Sequence, residues 1–276
     1  MKVAFQGERG AYSELALINF FQSKASALGF ALSEQVIEAL LAKEVDYAIL
    51  PVENSIVGNV TVNLDLIYKE KVEVWGEHFQ PIKHCLMTLP GTALEDITEA
   101  ASHPIALSQC RDFLSRHNIR AHAEYDTAGA AKLLRQNSAI SKGKAIVASE
   151  LCAKYYDLEI LSDKIQNNDT NLTRFLIMSR AGENPNTLEK NKTSIAFATS
   201  HQPGSLLECL QCFSAHKLNM TKIESRPDPM NPFQYVFFVD FIGDQKNSEV
   251  SACLNELEKL TKTLKVLGSY NAASLV

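Results

Sequence analysis

Polar residues that could do chemistry gather in four segments of the first 175 positions. The first is Gly7-Glu8-Arg9-Gly10-Ala11-Tyr12-Ser13, set between an apolar run and a helical pattern. Open backbone N–H groups at such a helix start can hold an anion; an ordinary strand-to-helix turn accounts for the same residues. In Pro51-Val52-Glu53-Asn54-Ser55-Ile56-Val57-Gly58, one charged and two polar side chains follow directly on an apolar strand. Open α/β sheets hold their ligands at such strand ends. In the third segment, Ser102-His103-Pro104 leads to Ser108-Gln109-Cys110. Ser102 can cap the helix that carries Gln109 two turns on, and His103 beside a proline reads as structural. The fourth, Asn167 to Phe175, runs through polar residues into a strand at Thr173 and Arg174. An arginine there can grip a carboxylate with two parallel bonds.

Two further segments stand out near the C-terminus. His201-Gln202-Pro203-Gly204-Ser205-Leu206 opens a helix whose free N–H groups suit a small carboxylate. Lys222-Ile223-Glu224-Ser225-Arg226-Pro227 sets Glu224, Ser225 and Arg226 at a strand end, where Glu224 and Arg226 can also be a plain surface pair. Cys209 and Cys212 form a C-x-x-C without a second pair or a histidine at zinc-finger spacing. They read as core-facing thiols on a helix. The Gly7 turn lacks both G-x-G-x-x-G and the P-loop lysine, which argues against a dinucleotide or ATP.

Alternating strands and helices must position these residues. Met1–Phe5, Tyr47–Val52, Val72–Trp75, Ile82–Leu89, Ala121–Tyr125, Lys144–Ala148 and Arg174–Ser179 read as strands. Tyr12–Phe21, a helix capped by Ser33, Ile105–His117, Thr127–Gln136 and Leu151–Tyr156 read as helices. Such alternation implies an α/β fold with parallel sheets wrapped by helices, here two lobes within residues 1–180 with a cleft between them. Residues 181–192, AGENPNTLEKNK, read as a linker. From 193 to 276 the order is βαββαβ, the ferredoxin-like arrangement. Its elements are strands Thr193–Thr199, Asn219–Glu224, Gln234–Ile242 and Val266–Ala272, with helices Gly204–His216 and Ser248–Leu264. Such a sheet carries helices on one face, and a second subunit is the expected cover for the other. Seven Lys and Arg against eight Asp and Glu leave this part nearly neutral and easy to bury against a copy of itself.

Composition sets the outer limits. The 276 residues carry a net charge of −5, which argues against a general nucleic-acid binder. No apolar run is long enough for a membrane span. The start MKVAFQGERGAY lacks the apolar core of a secretory signal, and the six cysteines are too sparse for a disulfide scaffold. A cytoplasmic protein with reduced thiols is expected.

Taken together and in order, the motifs resemble the prephenate dehydratase family with a C-terminal ACT regulatory domain. They are Gly7/Gly10, Pro51–Ser55, Ser102–Cys110, Thr173–Phe175 and Glu224–Pro227. The family's G-A-L-V reads Gly204-Ser205-Leu206-Leu207 here, a departure at two positions. The resemblance implies two lobes like those of periplasmic binding proteins, closing on prephenate and yielding phenylpyruvate, CO2 and water without metal or organic cofactor. It implies Thr173 as the residue that helps the hydroxyl depart. Ser13, Glu53, Asn54, Ser55, Ser102, Gln109, Arg174 and Phe175 would line the substrate site. It further implies feedback inhibition by L-phenylalanine in the phenylalanine pathway. The effector would sit at an interface between ACT domains, against His201, Gly204, Ser205, Leu206, Asn219, Glu224, Ser225 and Arg226. A homo-oligomer follows, expected as a dimer of dimers. An arogenate dehydratase on the same scaffold and a non-catalytic amino-acid-sensing protein are the competing readings.

Overall fold

The structure is a computed structural model. It describes the chain apart from residues 23, 186–188, 229–230, 232–233 and 275–276 and the side chain of residue 140. Residues 186–188 of the expected linker therefore lie outside the described residues. The described chain forms two compact units, one of Met1–Asn59 with His78–Phe175, the other of Val60–Glu77 with the described residues of 176–274. The strand-helix series begins β1 (Lys2–Gln6), α1 (Tyr12–Phe21), β2 (Ser26–Phe30), α2 (Ser33–Leu41), β3 (Tyr47–Asn54), β4 (Gly58–Asn59), α3 (Thr61–Lys69) and β5 (Val72–Pro81). It continues with β6 (Cys85–Thr88), β7 (Glu99–Ser102), α4 (Pro104–Gln109), α5 (Arg111–Arg116), β8 (Arg120–Ala123), α6 (Thr127–Gln136), β9 (Lys144–Ala148), α7 (Leu151–Tyr156), β10 (Glu159–Ser162) and β11 (Leu172–Arg180). It closes with β12 (Lys192–Thr199), α8 (Ser205–Ala215), β13 (Met220–Pro227), β14 (Tyr235–Ile242), α9 (Ser248–Leu260) and β15 (Thr261–Tyr270).

The first sheet runs β2-β1-β3-β11-β5, with β4 hairpinned onto β3, and the second runs β10-β6-β9-β7-β8. Both contain parallel pairs, β1 with β2 and β3 in one, β7 with β8 and β9 in the other. The second sheet is mixed rather than all parallel, because β6 pairs antiparallel with both β9 and β10. Continuous apolar runs explain the inner strands. Ala48, Ile49, Leu50 and Val52 of β3 and Ala145 to Ala148 of β9 are buried, as strands covered on both faces must be.

Three local expectations give way. Ser33 does not cap α2; Leu32 precedes the helix, and the Ser33 hydroxyl donates to Gln6 Oε1 at 2.8 Å. The helix expected over Ile105–His117 is two helices, broken at Cys110. Ser102 is the last residue of β7 and caps nothing. His103 is the cap, its Nδ1 accepting from the Ile105 N–H at 3.3 Å.

In the second unit the order β12-α8-β13-β14-α9-β15 is βαββαβ, folded into an antiparallel sheet β13-β14-β12-β15. Ile195, Phe197, Val239 and Phe241 pack against Cys209, Cys212, Phe213, Val250, Cys253 and Leu257 of the two helices. The helix expected to reach Leu264 stops at Leu260, and β15 begins at once. Part of the opposite face is covered from within the chain. The Tyr68 ring of α3 packs edge-on to Phe238 at 6.0 Å. Lys265 Nζ donates to the C-terminal carbonyls of α3 at Ile67, Tyr68 and Glu70, at 2.6–2.9 Å. Gly268, at φ +155°, lies so close to Val74 of β5 that any side chain there would strike its carbonyl. Lys192 and Glu77 form a buried ion pair at 3.0 Å. Residues 60–77 thus belong to this unit's packing, which a division of the sequence at residue 180 does not anticipate.

Candidate active site

The site begins where β3 runs out of apolar residues. Its last two residues pair back onto β4, Glu53 opposite Asn59 and Asn54 opposite Gly58. Asn54 Oδ1 accepts from the N–H groups of Ile56 and Val57 at 3.0 and 2.9 Å, closing the turn. Those two donors fix which end of the amide is oxygen. The Nδ2 end therefore faces β11. It donates to Asn171 Oδ1 at 2.8 Å and to Thr173 Oγ1 at 3.0 Å, with the Leu172 carbonyl at 3.2 Å sharing a proton. Ser55 stitches the same junction. Its N–H donates to the Leu172 carbonyl at 2.9 Å, its Oγ accepts from the Leu172 N–H at 3.0 Å, and its hydroxyl donates to the Thr170 carbonyl at 3.0 Å.

This junction leaves the Thr173 hydroxyl with its oxygen accepting and its proton to give. An accepted hydrogen bond polarises the O–H and makes it a better donor. Thr173 is buried, and beside it Asn171 Nδ2 is buried without a partner among the described residues. A buried amide left unpaired is costly and suits a polar ligand. Arg174 is buried too, with Nη1 standing 3.8 Å from Glu53 Oε2. Phe175 is packed into the core at 1 % exposure, so it supports the strand and offers no surface to a ligand.

A second polar chain was not legible in the sequence. His84, on the approach to β6, bonds Tyr12 Oη through Nδ1 and Gln109 Oε1 through Nε2, each at 2.9 Å. Burial lowers the His84 pKa, so the ring is neutral. The Tyr12 hydroxyl also donates to the Lys83 carbonyl at 2.8 Å, so its oxygen joins two partners with one proton. Gln109 is held by its side-chain amide at the other end of this chain. The His84 N–H donates to Gln166 Oε1 at 2.9 Å, which ties the chain to the loop before β11.

Other expected site residues have different work. Ser102 is fully buried and donates to the Val147 carbonyl at 2.5 Å, a brace between strands. Several N–H groups of the Gly7–Ser13 turn are already satisfied within the fold. The N–H of Gly7 donates to the Phe30 carbonyl, that of Glu8 to Asp126 Oδ2, that of Gly10 to Glu14 Oε2 and that of Ala11 to the Glu8 carbonyl. Gly10, at φ +91°, must be glycine because a Cβ would stand 2.6 Å from Cys152 Sγ. Ser13 is half-buried in the first turn of α1. Burial raises the thiols of Cys85 to about 11 and of Cys110 and Cys152 to about 12, so none is a nucleophilic thiolate near neutral pH.

The expected effector residues divide into two groups. His201, Gly204 and Leu206 line a cavity together with Thr199, Ser200, Tyr235 and Phe237; Ser205 does not line it, and its hydroxyl bonds that of Ser200 at 2.7 Å. Asn219 precedes β13, and Glu224, Ser225 and Arg226 lie within that strand, not beyond its end, and none lines the cavity. Arg226 is no surface partner of Glu224. Its Nη2 donates to Asp65 Oδ2 on α3 at 2.9 Å, and its buried Nε has no partner among the described residues.

Fold and site together describe an α/β protein with buried side-chain donors gathered at the ends of two neighbouring strands. Residues 3–183 match the family described as prephenate dehydratase. The arogenate dehydratase/prephenate dehydratase 2 of Arabidopsis thaliana is 37 % identical, over 98 % of this chain and 72 % of that protein. The crystal structure of a prephenate dehydratase from Arthrobacter aurescens in complex with L-Phe aligns with a TM-score of 0.89 at 29 % identity, over 99 % of this chain and 90 % of that one. A structure called GqqA, described as a novel type of quorum quenching acylase, aligns with a TM-score of 0.90 at 32 % identity, over 99 % of this chain and 98 % of that one. The chain belongs to the prephenate dehydratase family and is a hydro-lyase. Among the described residues, no helix is long and apolar enough to cross a membrane.

Proposed function

We propose that this chain converts prephenate to phenylpyruvate, with Thr173 giving its proton to the departing C4 hydroxyl and taking one back from solvent. The ring carboxylate leaves as CO2, its electron pair aromatises the ring, and the hydroxyl leaves with one proton as water. Aromatisation supplies much of the driving force, so the protein's share is positioning and help for the leaving group. The 3.0 Å bond from Asn54 Nδ2 to Thr173 Oγ1 carries this reading, because an unperturbed hydroxyl is a poor acid and needs such support. Asn54 and Gln109 orient substrate and developing charge, Glu53 and Ser55 hold the hairpin, and Arg174 receives a carboxylate. Ser102 acts through the strand it braces. Mixing the protein with prephenate should produce phenylpyruvate, followed by its absorbance. Thr173→Ala should cut kcat by at least about 100-fold with normal folding. Near-normal kcat in that variant contradicts the assignment. A side-by-side kcat/KM for prephenate and arogenate fixes the preferred substrate.

The βαββαβ part is read as an ACT regulatory domain that binds L-phenylalanine, and residues 1–180 as the two-lobed catalytic part. The cavity at His201, Gly204 and Leu206 takes the effector. Asn219, Glu224, Ser225 and Arg226 complete it from the β13 of a second copy, which is why a dimer, or a dimer of dimers, is needed. Exposed Ile223 and Tyr235 on the neighbouring strands β13 and β14 favour such pairing. The six free, buried cysteines suit a reducing compartment such as the cytoplasm.

A further inference from the structure

Beside α1 the first unit holds a cavity of about 440 Å3, within the range of small-molecule sites. Tyr12, Leu15 and Asn19, at i, i+3 and i+7, share the helix face that lines it. His78 to Pro81 line it from the end of β5, Lys83 and Cys85 from the start of β6, and Glu150, Asp163 and Lys164 from beyond β9 and β10. None of Asn54, Gln109 and Thr173 lines it. Tyr12 and Gln109 bond different nitrogens of His84, so that ring stands between Tyr12 and Gln109.

The neutral polar groups of this cavity are already paired. Gln80 Nε2 donates to the Pro81 carbonyl at 3.0 Å. Gln80 Oε1 is thereby left to accept from Asn19 Nδ2 at 2.8 Å and from His78 Nε2 at 3.3 Å. The charged groups are not paired. Among the described residues Lys83, Glu150, Asp163 and Lys164 form no ion pair, although two of each sign line one cavity. Burial raises the Cys85 thiol to about 11, and the carboxylates of Glu150 and Asp163 both add to the rise, so the two act on one spot beside Cys85. Solvation alone explains an exposed charge. It does not explain opposite charges that share a cavity without closing on each other, a gap that a ligand carrying both signs bridges. Leu15, Phe79 and Pro81 are half-buried and give the same cavity an apolar surface.

We propose that this cavity binds an α-amino acid with an apolar side chain. Its carboxylate sits with Lys83 and Lys164, its ammonium with Glu150 and Asp163, and its side chain on Leu15, Phe79 and Pro81. A charge-assisted bond at each end fixes the direction of the ligand, and a molecule with one charge leaves half of the ionic groups unused. The cavity shares no residue with the one at His201, and the proposal stands whether or not that one takes an effector.

Equilibrium dialysis of the full-length protein against labelled L-leucine, L-methionine and L-phenylalanine tests it. At least one should bind, and that binding should persist in Arg226→Ala, which separates it from the effector reading. Glu150→Gln and Lys164→Gln are exposed changes, and each should weaken it at least about tenfold, the usual worth of one charge-assisted hydrogen bond. 3-Phenylpropionate and 2-phenylethylamine, with one charge each, should not compete. Binding of none of the three amino acids overturns the proposal. So does an affinity that Glu150→Gln and Lys164→Gln both leave unchanged, or displacement by 3-phenylpropionate as effective as by the amino acid itself.

Discussion

Two junctions in this chain join residues far apart in sequence, and they differ in how far they are closed. Asn54 reaches Thr173 across 119 positions, and every partner it needs is there, from the turn donors of Ile56 and Val57 to the acceptors of β11. Arg226 reaches Asp65 across 161 positions, but only through Nη2, and its Nε is buried unpaired. The first junction is closed around Asn54 and leaves the Thr173 proton and the unpaired Asn171 Nδ2 to donate. The second keeps one guanidinium donor in reserve. The proposed roles, a catalytic centre in one place and a regulated contact in the other, use those donors differently.

Variants can break this comparison. The largest effect is expected in the second unit, where Lys192 Nζ meets both Glu77 oxygens in a buried pair. Glu77→Ala strands the lysine and should cost about 3–5 kcal/mol, read as a lowered denaturant midpoint. A change of less than about 1 kcal/mol would show that the pair is not sealed from water. Next comes the first junction. Asn54→Ala should lower kcat by about 10²–10³ while the unfolding curve moves far less. Equal loss in kcat and in stability would make Asn54 only a hairpin brace. For the second junction, Arg226→Ala should abolish inhibition by L-phenylalanine with activity retained. The cost in stability should stay near 0.2–1 kcal/mol, because the Asp65 pair is partly exposed. Unchanged inhibition contradicts the effector role.

The smallest effect is a pH slope. Burial lowers the His84 pKa below its ordinary 6.5. Above pH 6.5 folded and unfolded chains both carry the ring neutral, and the native bonds count in full. As pH falls below 6.5 the unfolded chain takes the proton first, so stability is lost toward the folded pKa. His84→Gln should flatten that part of the stability profile. An unchanged slope would assign it to other groups, His78 first among them, since its pKa is lowered by burial too.

Much of the fold was legible wherever an element is buried on its own account. α1, α6, β9 and α7 fall at the expected residues because apolar runs and the Asp126 cap announce them. β2 was missed because Ser26–Phe30 is a half-exposed edge with a glycine in it. α3 was missed because only Asn63, Leu64 and Ile67 of its nine residues are buried, too weak a stripe to read. The same holds for the site. Asn54 and Thr173 were visible because polar residues at strand ends are conspicuous. His84 was not, because a histidine entering an apolar strand looks like core. Its role emerges only when Tyr12, 72 residues before it, and Gln109, 25 after it, fold onto its two nitrogens.

The central claim is that the Thr173 hydroxyl, held by Asn54, protonates the leaving group. Thr173→Val tests it most directly, because a methyl replaces the hydroxyl at nearly constant volume and Asn54 keeps Asn171 and the Leu172 carbonyl as acceptors. The account predicts that kcat for prephenate falls at least about 100-fold, with KM and the unfolding midpoint little changed. A valine variant that turns over within a few fold of the wild type would contradict it.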